Sequence, residues 1–300
     1  MEKPRLPSGG RLRNGMVTGM KQLDLAPCTL GEGALWHRET QEFVFTDIVN
    51  GRLYTCTPEG TVRQLLQCRF QLGAFLFDRQ GDLLLFTECG VYACPYGGTE
   101  SDFRPVWQLP LLPGERFNDA VCDPLGRVLA GTKTETDTNG SLWLLQAGQA
   151  PRRLLSGLKI SNGMGFAEGG RILYHTDSGD RAIRRFRYDL TDGSLTADGV
   201  VVQLDSPDGA VPDGMTLDAD GNLWTACWGG GCVRCYTPDG RWNGQFNFPA
   251  QQVSSVALGG TNGRQMLVTS AAVGTDGGAE GGIWLQDVPV AGAEDFRAVL

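Results

Sequence analysis

The sequence predicts an all-β protein folded as a single six-bladed β-propeller. Three observations carry that prediction. A unit of apolar strand, Asx/Gly turn and second strand recurs along the chain. After the first copy it returns at intervals of roughly 45 residues, a spacing typical of propeller blades. Glycine is abundant, 43 of 300 residues, and spread along the chain, as many tight turns between strands require.

The copies run in order from Asp47-Ile48-Val49-Asn50-Gly51 and Asp78-Arg79-Gln80-Gly81-Asp82 to Asp123-Pro124-Leu125-Gly126. Glu168-Gly169-Gly170, Asp218-Ala219-Asp220-Gly221-Asn222 and Gly260-Thr261-Asn262-Gly263 follow. Each precedes a strand such as Leu83-Leu84-Leu85 or Asn222-Leu223-Trp224. Gly140-Ser141-Leu142-Trp143 and Gly282-Ile283-Trp284 read as matching outer strands, and Thr57-Pro58-Glu59-Gly60 and Tyr236-Thr237-Pro238-Asp239-Gly240 as matching outer turns. No stretch carries sustained helical periodicity with caps. A two-domain sandwich would not explain the period. A closed ring of blades does: it removes exposed sheet edges and points the inner strands at one channel. The propeller is expected over residues 21–300, with 1–20 as a poorly ordered lead-in.

Composition narrows the function. A net charge of −8 argues against a nucleic-acid groove. No apolar run approaches the roughly 20 residues of a membrane span. The first 20 residues carry Arg and Lys but no apolar core, so they do not read as a secretory signal. Nine scattered cysteines fit free thiols in a reducing compartment, and a cytoplasmic protein is expected. Cys232-x-x-Cys235 lacks a second pair, and a strand would point its thiols to opposite faces, so it is not read as a zinc site.

Two stretches stand out. Ser161-Asn162-Gly163-Met164 and Pro212-Asp213-Gly214-Met215 each place an oxygen donor beside glycine, just ahead of an apolar strand. Asn-Gly and Asp-Gly are also ordinary turn dipeptides. In a propeller, however, successive units would bring Asn162 and Asp213 together at one mouth of the channel. Glu32, in Leu30-Gly31-Glu32-Gly33-Ala34, holds the parallel position in the first unit. Two carboxylates and an amide oxygen suit a hard divalent cation, with Ca²⁺ the first choice and Mg²⁺, Mn²⁺ or Zn²⁺ as alternatives. Trp228 and Phe166 are candidates to line the pocket, and Asp177-Ser178 to reach its mouth. His175 reads as a neutral, hydrogen-bonded wall residue. No G-x-S-x-G elbow supports a serine hydrolase.

Together with Arg116-Phe117-Asn118-Asp119, Ala130-Gly131-Thr132, Trp228-Gly229-Gly230 and Val268-Thr269-Ser270-Ala271, these segments resemble the SMP-30/gluconolactonase/regucalcin-like family of six-bladed propeller lactonases. The likeness runs from about Leu30 to the C-terminus. It implies a single divalent metal on Glu32, Asn162 and Asp213, and a sugar-like substrate held by Arg116 and Asn118. A glutamate after the Gly-Thr motif is implied as a further substrate contact, with Glu135 the candidate and Thr136 its competitor for that slot. The family's glycine after Asn-Asp is Ala120 here, and the proline of its Glu-Gly-Pro run is Ala34.

The expected activity is metal-dependent opening of a sugar lactone, the ion polarising the carbonyl and Asp213 taking a proton from the attacking water. A propeller phosphotriesterase or aryl esterase shares the same metal logic. A non-catalytic calcium-binding propeller is the alternative outside enzymology. The oligomeric state is left open.

Overall fold

Six four-stranded antiparallel sheets follow one another along the chain. The computed structural model describes residues 19–134, 139–207 and 209–300. Blade 1 spans 31–67, blade 2 72–107, blade 3 115–158, blade 4 161–203, blade 5 211–247 and blade 6 253–287. The fourth strand of blade 6 is Lys21–Gln22, paired antiparallel with Trp284–Asp287. A segment from before blade 1 thus joins the two ends of the chain and closes the ring. The expected lead-in lies outside the described residues up to position 18. Helix is confined, among the described residues, to three short 3₁₀ turns, and no helix is long and apolar enough to cross a membrane.

The apolar pattern of the strands follows from this stacking. Successive residues of a strand point to opposite faces, and here both faces are covered by neighbouring blades. Leu83 and Leu85 enter the core between blades 1 and 2, while Leu84 and Phe86 enter the core between blades 2 and 3. Leu129 likewise faces blade 4, while Val128 and Ala130 face blade 2. Each blade-to-blade interface has its own buried cluster, six in all. The core is therefore a ring of interfaces, not a central mass.

The turn pattern read from the sequence matches five copies in phase, between the first and second strands of blades 2 to 6. The first copy is out of phase. Asp47–Gly51 joins the second strand of blade 1, Glu42–Asp47, to the third, Arg52–Cys56. The true counterpart in blade 1 is the turn after His37, which lacks an Asx-Gly pair. This explains the short first interval. The outer turns at Thr57–Gly60 and Thr237–Gly240 do occupy equivalent places.

The six innermost strands ring the channel. Each carries an irregularity near its start: register shifts fall at 32/35, 72/74, 117/119, 162/164, 212/215 and 253/255. Neighbouring strands come very close at these bulges. A Cβ on Gly163 would lie 2.4 Å from the Met215 nitrogen and 2.6 Å from the Asp213 oxygen, so only glycine fits there. At the opposite end the C-terminal segment crosses the channel. Ala293 N donates to Leu217 O at 3.0 Å, Ala298 N to Phe77 O at 2.9 Å and Val299 N to Gly126 O at 2.9 Å. The mouth at the strand starts is left as the accessible one.

Candidate active site

Glu32 and Asn162 are the second residues of the inner strands Gly31–His37 and Ser161–Ala167, and Asp213 is the third of Val211–Leu217. The sequence reading had placed them just ahead of those strands. The ladder instead continues to the mouth, and the bulge beside each residue re-aims its side chain at the channel. All three line one cavity of about 590 Å³, together with Arg116, Asn118, Lys133, Ser178 and Trp228. Phe166 does not reach it. It lines the deeper channel, edge-on to Tyr188.

The donors are buried and fixed. Glu32, Asn162 and Asp213 are 8%, 5% and 4% exposed. Asn162 Nδ2 donates to Asp213 Oδ1 and to Ser178 Oγ, the latter at 3.0 Å. Ser178 Oγ in turn donates to the Pro212 carbonyl at 2.7 Å, tying blade 4 to blade 5. Glu32 Oε2 accepts from Gly33 N at 3.2 Å. Asn118 Nδ2 donates to the Ser161 carbonyl at 3.0 Å, tying blade 3 to blade 4. Arg116 Nη1 donates to Phe117 O at 2.8 Å and to Asn118 Oδ1 at 3.0 Å.

Asp119 lines the channel beneath this cavity and is felt electrostatically by both Glu32 and Asp213. Burial pushes its carboxyl up to about 7. Burial and the Asp119 charge push Asp213 up to about 8, against the Asn162 hydrogen bond and the Lys133 charge. Glu32 is raised by burial, then by Asp213 and Asp119. Carboxylates crowded in a low-dielectric place need a cation or protons.

This chemistry fits a divalent ion. The Asn162 amide hydrogens already do in part what a cation would, putting positive charge against a buried carboxylate. Among the described residues no trio of His, Cys, Asp and Glu forms a metal cluster; here the third donor is an amide. An all-oxygen set of two carboxylates and one amide selects hard ions over zinc or copper.

Two aspartates missed by sequence reasoning as a pair hold this frame. Asp47 accepts from Thr29 N and Leu30 N at 3.2 and 3.0 Å. Asp177 accepts from Lys159 N and Ile160 N at 3.2 and 3.1 Å. Each fixes the backbone just ahead of a donor, Glu32 or Asn162. The signal was present as a repeated Thr-Asp, Thr46-Asp47 and Thr176-Asp177, at the ends of second strands. His175 is fully buried, with Nε2 2.8 Å from Ser161 Oγ, and burial lowers it to about 3, so it is a neutral wall residue. Among the described residues no cysteine is in a disulfide, and Cys232 and Cys235 sit in the strand Cys232–Tyr236. Glu135 and Thr136 lie outside the described residues.

A match to the SMP-30/gluconolactonase/LRE-like region covers residues 30–272. The chain belongs to that family. Among its relatives is a pentonolactonase of Haloferax volcanii, 32% identical over 281 residues, 90% of this chain and 95% of the relative. A regucalcin of Danio rerio is 33% identical over 252 residues, 82% of this chain and 84% of the relative. The solved structure of a regucalcin from Agrobacterium tumefaciens, described as a calcium-binding protein, shares the fold with a TM-score of 0.86 at 24% identity, covering 95% of this chain and 98% of that one. The SMP-30/gluconolactonase match thus takes in blades 1 to 5 and the first two strands of blade 6. Its matched span begins at Leu30, two residues ahead of Glu32, and runs past the inner strand of every blade.

Proposed function

We propose that this protein is a divalent-metal-dependent lactonase that opens a sugar lactone to its aldonic acid. The observation that carries the reading is a single cavity bringing Glu32, Asn162 and Asp213 together with Arg116 and Asn118. Kinship over nearly the full chain to a pentonolactonase supports it.

Glu32, Asn162 and Asp213 would hold the ion, Ca²⁺ in the first instance. When bound, it supplies Lewis acidity toward the lactone carbonyl. Arg116, its guanidinium plane fixed by Phe117 O and Asn118 Oδ1, donates to substrate oxygens. Asn118 can donate to or accept from hydroxyls. Asp213 takes the proton of the attacking water and returns it to the ring oxygen as the C–O bond breaks. Burial and Asp119 raise its basicity, and a neighbouring cation lowers it. The opposition keeps it ionised near neutral pH without making it a poor base. Glu135, after the Gly-Thr motif, is retained as a further substrate contact on family resemblance.

The test is a panel of aldonolactones assayed by pH-stat after chelation, with single metals restored. Hydrolysis that disappears on chelation and returns with one hard ion is expected. No lactone turnover under any metal would sink the enzymatic reading and leave a calcium-binding propeller. Phosphotriester turnover exceeding lactone turnover would replace the substrate class.

A further inference from the structure

An asparagine that serves a cation must turn its oxygen to the ion, and nothing in the side chain alone decides which way the amide faces. The surroundings of Asn162 decide it. Ser178 Oγ lies 2.7 Å from the Pro212 carbonyl oxygen. A carbonyl only accepts, so the hydroxyl spends its hydrogen there. Toward Asn162, at 3.0 Å, the same Oγ can then only accept, and the atom that meets it has to be Nδ2. A flipped amide would face one oxygen with another and no hydrogen between them. Asp213, the second partner of Nδ2, does not settle the choice. A carboxyl accepts when ionised and donates when protonated.

Blade 1 supplies the comparison. Ser178 follows Asp177 at the end of a second strand, and its N donates to Ile160 O at 3.1 Å. Ile48 follows Asp47 in the matching place, and its N donates to Leu30 O at 2.9 Å. The two backbones agree, and both side chains are buried. They differ where the donors differ. Glu32 is a carboxylate, whose two oxygens serve an ion equally, and its frame carries no hydroxyl at this place. Asn162 is an amide with one useful face, and its frame does.

We propose that Ser178 is a positioning residue for the metal site: committed to the Pro212 carbonyl, its hydroxyl holds the nitrogen of the Asn162 amide and so turns the amide oxygen toward the ion. This rests on the divalent-metal reading above. The chain from Pro212 O through Ser178 to Asn162 runs in one direction only, and it fixes a donor of blade 4 by the backbone of blade 5.

The experiment is titration calorimetry of the chelated protein with Ca²⁺ or Mg²⁺, whichever binds the wild type more tightly. Ser178→Ala should weaken binding roughly 10- to 100-fold, as for other groups that orient a ligand. Loss of a tie between blades could weaken it too, and a double-mutant cycle with Asn162→Asp separates the two causes. A carboxylate offers the ion an oxygen in either orientation. Asn162→Asp should therefore still bind, and adding Ser178→Ala to it should change the affinity by less than about threefold, a large departure from additivity. Ser178→Cys, a weak donor and acceptor, should fall on the same side as alanine and stands in for it if alanine does not fold. Wild-type affinity in the Ser178 variant, an equal loss in both backgrounds, or an Asn162→Asp protein that no longer binds overturns this proposal and leaves the metal reading standing. A wild type that binds neither ion overturns both.

Discussion

The inner strands of blades 1, 4 and 5 and those of blades 2 and 6 share one backbone device and put it to different uses. In every blade the ladder slips near the mouth. In blades 1, 4 and 5 the residue at or beside the slip is Glu32, Asn162 or Asp213, facing the cavity. In blades 2 and 6 the slip holds Gly73 and Ser254. A Cβ on Gly73 would lie 2.0 Å from the Phe117 oxygen, so glycine there serves close approach alone. Ser254 Oγ donates to the Gly31 carbonyl and sits 2.9 Å from Thr269 Oγ1, joining blade 6 to blade 1. The fold therefore supplies equivalent places, and the side chain at each decides between chemistry and packing.

The widest separation between the two groups should appear in Asp213→Asn against Ser254→Ala. The first removes the proposed base and one metal donor. Its kcat/KM should fall by roughly 10²- to 10⁴-fold, the usual worth of a positioned acid–base group. In chelator above about pH 8, its melting temperature should hold or rise, because one of three crowded carboxylates loses its charge. The second should keep activity within a few-fold and lose about 1–3 kcal/mol of stability, the cost of stranding a buried polar group. Equal activity losses would show that the bulge, not its side chain, carries the function.

Gly163→Ala should blur the distinction, because its new methyl meets the Asp213 backbone of the next blade. Both activity and stability should drop, with a destabilisation of about 1–3 kcal/mol from overpacking. A variant that is destabilised yet fully active would show that the position of Asp213 is not set by this contact. Asp177→Asn tests the frame behind Asn162. An amide cannot accept on both sides as the carboxylate does from Lys159 N and Ile160 N. Metal affinity or activity should fall roughly 10- to 100-fold, as for other groups that orient a ligand. Asp47→Asn, in the matching place behind Glu32, should do the same. Titration calorimetry with Ca²⁺ reads both.

The ring was legible in the sequence because its period is written in turn residues, and turn chemistry is local. The donors were legible because Asn-Gly and Asp-Gly recur in one frame. The bulge was not. Whether Asp213 stands before its strand or within it depends on the pairing of Val211 and Pro212 with Trp228 and Cys227 of the strand Leu223–Trp228, which is non-local. The ring closure by Lys21–Gln22 was hidden for the same reason: two residues carry no periodic signal. Lys133 was passed over because nothing in Gly131-Thr132-Lys133 marks it until the ladder sets it opposite Arg116.

The smallest effect, and the one most specific to the acidic wall, is on stability against pH in the chelated protein. Asp213 and Asp119 have folded-state values of about 8 and about 7, above the 3.8 of an ordinary aspartate. The folded protein then holds protons that the unfolded chain has released, so stability falls as pH rises from about 4 toward 8. His175 acts in the opposite sense. Its value drops from 6.5 to about 3, so it adds stability with rising pH only up to about 6.5. Between about 6.5 and 8 the carboxyl slope stands alone. Melting temperature in chelator should therefore decline across that window, and restoring a divalent ion should flatten the decline by replacing the protons. Asp213→Asn should flatten it without metal. A wild-type melting temperature that is level or climbing in chelator from pH 6.5 to 8 would mean that these carboxyls are already compensated, and that the wall has no deficit for a cation to fill.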